Sequence, residues 1–124
     1  QCVSWHQANG LGLPKKAGEL DEGYMYPPLW GDDSFNDGVG MGRMLTAAKF
    51  IKGNMPLGAS ADAPILSDEE AYDVAAFINS FERPSKADKE HDYPDLSKKP
   101  KDSPYPPFAD IIPEEQHKYG PFNF

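Results

Sequence analysis

Residues 1–10 read QCVSWHQANG, and the cysteine and histidine in this run decide how the rest of the chain is read. Cys2 and His6 stand four positions apart, so one helical turn brings both side chains to the same side. A cysteine at position 5 would complete C-x-x-C-H, the spacing that attaches a c-type haem. Such attachment needs a thiolate to add across a vinyl group and an imidazole to reach iron from the same turn. The outer cysteine and the histidine are present, but Trp5 stands in the inner position. Taken alone, the run is either a haem site with one thioether or a coincidence around the only cysteine of the chain.

Two further stretches bear on that choice. A metal-bound histidine donates its second ring N–H to an acceptor, which fixes the ring and its basicity. Tyr26-Pro27-Pro28-Leu29-Trp30-Gly31 offers a proline carbonyl in a stiff loop with large apolar neighbours; its plain alternative is a Pro-Pro turn beside a core tryptophan. Met55 lies in Asn54-Met55-Pro56-Leu57-Gly58, a turn with no helix face to account for its burial. A thioether suits low-spin haem iron and raises its potential; the plain alternative is a loop methionine packed on the core. In chain order the features run attachment, support for the histidine, helix, sixth ligand in a loop, closing helix.

The helices follow from periodicity and caps. Met41, Met44, Leu45, Ala48 and Ile51 place one apolar face on a helix from about Val39 to Lys52, with Gly53 as its stop. Ser67 and Glu70 form a capping box for a second helix, whose face is Ala71, Val74, Ala75, Ile78 and Phe81 and whose end is Arg83-Pro84. Residues 1–39 show little periodicity beyond a turn at Cys2–Gln7. Eight of the 13 prolines fall in residues 84–124, where Tyr93, Tyr105, Phe108, Ile111, Ile112, Tyr119, Phe122 and Phe124 argue for an extended segment lying on the globule. The expectation is a mostly α fold of haem-wrapping helices with long ordered loops, divided into a haem domain, 1–84, and a Pro- and aromatic-rich tail, 85–124.

A net charge of −8 argues against nucleic acid or an anionic membrane as partner and favours a basic protein surface. No stretch approaches a membrane span, and one cysteine rules out an internal disulfide. His91 and His117 are expected to be exposed, and the charges from Ser97 to Asp102 to be a solvated surface. Lys49 and Lys52 precede Met55 closely enough to replace it on a metal if the loop moved.

Several motifs together resemble a class I c-type cytochrome domain, and within that group the C-terminal haem domain of thiosulfate dehydrogenase-like periplasmic cytochromes. They are Cys2 with His6-Gln7-Ala8-Asn9-Gly10, Pro27-Pro28-Leu29-Trp30-Gly31, Ser34-Phe35-Asn36, Gly40-Met41, Ala47-Ala48-Lys49-Phe50-Ile51, Asn54-Met55-Pro56-Leu57-Gly58 and Ala75-Ala76-Phe77-Ile78. Glu115-Gln116-His117-Lys118-Tyr119-Gly120-Pro121-Phe122 also resembles an extension found in some of these proteins. The resemblance implies haem c attached by Cys2 and iron bound by His6 and Met55. It further implies that Pro27 accepts from the histidine and that Leu29, Trp30 and Arg43 lie by the haem. Electron transfer in the periplasm with a basic redox partner is the function it implies, rather than catalysis by the chain itself. Alternatives are a haem subunit or domain of a thiosulfate-oxidising enzyme, and a haem-free module working through its tail. Two departures stand out. Trp5 means a single thioether, or a residue read as Trp where a haem-linked Cys lies. The helix that class I domains place before the haem motif is missing, so upstream residues, or further haem domains upstream or on neighbouring chains, are expected.

Overall fold

The core of the computed structural model, which describes residues 1–17 and 19–124, is a pair of helices closing on small side chains. Helix α2 (Met44–Asn54) buries Met44, Ala47, Ala48 and Ile51 against Ala71 and Ala75 of helix α3 (Asp68–Asn79). Alanines at the contact let the two backbones approach closely, and Leu66, Val74 and Ile78 pack around the seam. The capping box is formed: Glu70 N–H donates to Ser67 Oγ at 3.1 Å and Ser67 N–H to Glu70 Oε2 at 2.9 Å. Caps of this kind are worth about 1 kcal/mol.

The helix expected from Val39 begins later. Residues Gly40–Gly42 form a 3₁₀ turn and Arg43 is extended, so α2 starts at Met44. Gly38, Gly40 and Gly42 give this stretch too much backbone freedom to hold α geometry. At the other end α2 runs past Gly53 to Asn54, whose side-chain amide donates to Phe50 O at 2.9 Å.

Within 1–39, a short helix α1 (Cys2–His6) precedes an antiparallel hairpin of β1 (Leu13–Lys16) and β2 (Glu19–Tyr26), an addition to the helical expectation. Its register pairs Leu13 with Tyr26 and Lys16 with Glu19 through irregularities on both sides of Pro14. Bulges and an edge proline erase the period-two pattern by which a strand is recognised.

Residues 85–124 carry 3₁₀ turns at Lys89–His91 and Leu96–Lys98 and helix α4 (Glu114–Tyr119). Tyr119 and Phe122 pack against the α2–α3 cluster, and Tyr105 is buried. The expected solvation of Ser97–Asp102 holds for Ser97, Lys98 and Lys101 but not for Lys99 and Asp102, which are buried. Lys99 Nζ donates to Tyr105 O at 2.6 Å and Pro107 O at 3.0 Å and lies 4.3 Å from the Tyr105 ring. Carbonyls and ring faces replace its water, although burial still lowers its pKa. His117 also departs from expectation: it is 2% exposed and stacks on Phe108 at 4.0 Å, whereas His91 is exposed. Four α-helices and one two-stranded sheet, joined by long irregular segments, thus make up the described residues. No helix among them is long and apolar enough to cross a membrane.

Candidate haem site

His6 is the last residue of α1 and is 9% exposed. Its Nδ1 lies 2.8 Å from Pro27 O. A carbonyl only accepts, so Nδ1 carries the proton, and in the neutral tautomer this selects Nε2 is the nitrogen with the lone pair. Nε2 has no hydrogen-bond partner among the described residues.

Backbone contacts hold this pair together across the 21 positions that separate them. After α1 the chain folds back, with Gly12 N–H donating to His6 O at 3.1 Å and Leu29 N–H to Gly10 O at 2.8 Å. Gly12 has φ +76°, and a Cβ there would stand 2.4 Å from Tyr26 O and 2.6 Å from Pro28 N. Only glycine lets the two loops lie this close. Gly10 has φ +71°, and its missing Cβ leaves room for the Trp30 ring, 2.0 Å from where that carbon would be. Trp30 then stacks on Phe81, with centroids 3.9 Å apart, and meets Phe77 edge-on.

The other side of the Pro27–Gly31 loop is clamped by Arg83, which in the sequence marks only the end of a helix. Its guanidinium donates to Leu29 O at 2.5 Å and Ile78 O at 3.2 Å and lies 3.8 Å above the Phe35 ring. Burial lowers its pKa to about 10, so it stays charged at neutral pH. A visible signal did exist: Arg83 is the first basic residue after Lys52.

The remaining candidates lie apart from this cluster. Cys2, one turn before His6, is exposed, and Trp5 is half-buried with its ring edge-on to Tyr26 at 5.0 Å. Arg43 and Met55 flank the two ends of α2, roughly 18 Å apart at 1.5 Å per residue. Met55 is half-buried against the α2–α3 cluster, with its N–H on Ile51 O at 2.8 Å. Arg43 Nε and Nη2 both donate to Asp102 Oδ1, at 2.9 and 2.6 Å, and Asp102 Oδ2 is buried without a partner. Of the two lysines near Met55, Lys49 is exposed and Lys52 pairs with Asp68 at 2.5 Å. No hydrogen bond or ring contact joins Met55 or Arg43 to the His6 cluster among the described residues.

These residues fit a haem by the chemistry of the donor set. A neutral imidazole with a free Nε2 and a loop thioether are the donors that low-spin haem iron takes. Helix α1 is not packed on α2 or α3 as those two are on each other. Val3, Leu11 and Met25, from the segments around His6 and Pro27, are apolar and remain exposed.

In chain order, then, a histidine-bearing turn docks on a proline loop and is followed by two core helices joined through a methionine loop. The chain is 54% identical over 84 residues to a thiosulfate dehydrogenase from Stutzerimonas stutzeri, covering 68% of this chain and 25% of that protein. It is 50% identical over 84 residues to one from Allochromatium vinosum, covering 68% and 28% respectively. A third, from Psychrobacter arcticus, is 46% identical over 94 residues, covering 76% and 27%. Among solved structures, the thiosulfate dehydrogenase (TsdBA) from Marichromatium purpuratum in its as-isolated form superimposes with a TM-score of 0.58 and 46% identity. That match covers 70% of this chain and 17% of the other. No family model matches. The chain carries a thiosulfate dehydrogenase-like cytochrome domain, and it spans about a quarter of the length of the curated relatives it matches.

Proposed function

We propose that this chain is an electron-transfer domain carrying one haem c, with iron held between His6 Nε2 and the Met55 sulfur and Cys2 making the covalent link. The observation that carries the reading is the His6–Pro27 hydrogen bond, which commits Nδ1 and leaves Nε2 open. The bound haem would supply one-electron chemistry. The protein's part is to orient the imidazole through Pro27, to support the Pro27–Gly31 loop through Arg83 and Trp30, and to present a thioether that favours the reduced state. Pro27, Leu29, Trp30 and Arg43 belong to the haem surroundings in this reading, and residues 1–84 form the haem domain with 85–124 as its extension.

With Trp5 in the inner position, edge-on to Tyr26, Cys2 would make the one thioether and one vinyl group would survive. The pyridine haemochrome spectrum tests this: its reduced α-band should lie at longer wavelength than two saturated arms give. A two-thioether spectrum would mean that position 5 is a cysteine. Haem that extracts fully into acidified organic solvent would refute a covalent link altogether.

The relatives' name, thiosulfate dehydrogenase, favours a second reading in which this domain passes electrons away from a sulfur-oxidising centre elsewhere in a larger protein. Cys2 is the only cysteine and is committed to haem, so the isolated chain should show no thiosulfate-dependent reduction. The setting in both readings is the periplasm, and the partner is a redox protein with a basic docking surface.

A further inference from the structure

Helix α1 carries His6 on only five residues, and no side-chain hydrogen bond caps its start at Gln1 among the described residues. A helix this short does not persist on its own propensity. It ends at Gln7, whose φ of +67° is a conformation that a residue with a side chain keeps only when its surroundings enforce it. The placement of α1 must therefore come from contacts with the rest of the chain.

Two of these contacts link neighbours to neighbours. His6 Nδ1 donates to Pro27 O, and Trp5, one position earlier, meets Tyr26, one position before Pro27. The Trp5 and Tyr26 ring centroids lie 5.0 Å apart with their planes at 83°. Edge-to-face pairs of this geometry attract beyond the area that they bury. Successive side chains on a helix diverge by about 100° around its axis. A turn held through the histidine alone can pivot about that one hydrogen bond. A second contact, rotated around the axis from the first, removes this freedom. Tyr26 is a firm partner for it, since it pairs with Leu13 at the end of the hairpin and its carbonyl lies against Gly12.

We infer that the Trp5–Tyr26 ring pair positions His6: it fixes the rotation of α1 and thereby the hydrogen bond that Nδ1 donates to Pro27. Trp5 acts through its neighbour and is a positioning residue, not a ligand. The inference rests on the haem reading for its consequence at iron, while the two contacts belong to the protein itself. A histidine that donates to a carbonyl is a more basic ligand and favours the oxidised metal. Loosening the ring pair should therefore raise the reduction potential. The hairpin also gains a role, which is to place Tyr26.

The test follows the His6 Nδ1 proton by NMR in the haem-loaded chain labelled at histidine, alongside the potential. Trp5→Ala and Tyr26→Ala should each speed exchange of that proton with solvent about two- to tenfold and raise the potential. The double variant should be no worse than either single one, because both remove the same contact. Trp5→Phe and Tyr26→Phe leave a ring in place and should keep both readings near those of the unaltered chain. A lower melting temperature with proton exchange and potential unchanged would reveal a packing role only and overturn the inference, as would additive effects of the two alanine substitutions. The Nδ1 proton needs no iron, so the same exchange pattern in a chain that takes up no haem would uphold the ring pair and count against the haem reading alone.

Discussion

Two buried histidines, one at each end of the chain, have opposite surroundings. His6 has its Nδ1 on Pro27 O and its Nε2 without a partner. His117 has both ring nitrogens engaged, Nδ1 with Lys101 O at 2.5 Å and Nε2 with Asp110 Oδ1 at 3.0 Å, and its ring face lies on Phe108. Burial is therefore no guide to ligand function. A metal donor needs a free ring nitrogen, and of these two buried histidines only His6 pairs a free nitrogen with a committed one.

Substituting each histidine breaks the comparison most sharply. His6→Ala should abolish the low-spin haem spectrum entirely, whereas His117→Ala should leave that spectrum unchanged. If the two variants lose haem alike, the distinction drawn from their nitrogen partners is wrong. The second effect is one of stability. Truncating a fully buried, doubly hydrogen-bonded ring costs about 2–4 kcal/mol. His117→Ala should show this as a lower melting temperature and early proteolysis within residues 97–119. An unchanged digestion pattern would mean that His117 does not hold this region in place.

The smallest effect concerns pH. The hydrogen bond from the Lys101 ammonium holds the Asp110 carboxyl below its usual value, and that from Lys86 does the same for Asp92. Groups lowered in the folded state stabilise above the ordinary carboxylate pKa and lose that contribution as pH falls through their folded values. Residues 85–124 should therefore stay protease-resistant at neutral pH and loosen only in acid below the usual Asp range. Loosening on the alkaline side near neutrality would show that other groups control the attachment.

The legible parts of this molecule are those whose signal is local. Ser67 and Glu70 announce the start of α3, alanines and Ile51 mark the buried face of α2, and Cys2, His6 and the Pro27 loop stand as recognisable units. What escaped depends on partners far along the chain. His117 sits between Gln116 and Lys118 like a surface residue, and only Phe108, Asp110 and Lys101 make it buried. Asp102 lies in a charged run, yet its partner Arg43 is 59 positions away. The hairpin was hidden by Pro14 and two irregular pairings, and the late start of α2 by three glycines whose entropy outweighs the apolar period.

Iron held between His6 and Met55 is the arrangement on which the proposed function depends, and methyl NMR of the reduced, haem-loaded chain with labelled methionine checks it. Of the four methionine methyls, one should be shifted far upfield by the ring current of the haem, and Met55→Leu should remove that signal alone while lowering the potential. Four methyl signals in the ordinary range, or an upfield signal that survives Met55→Leu, would contradict it.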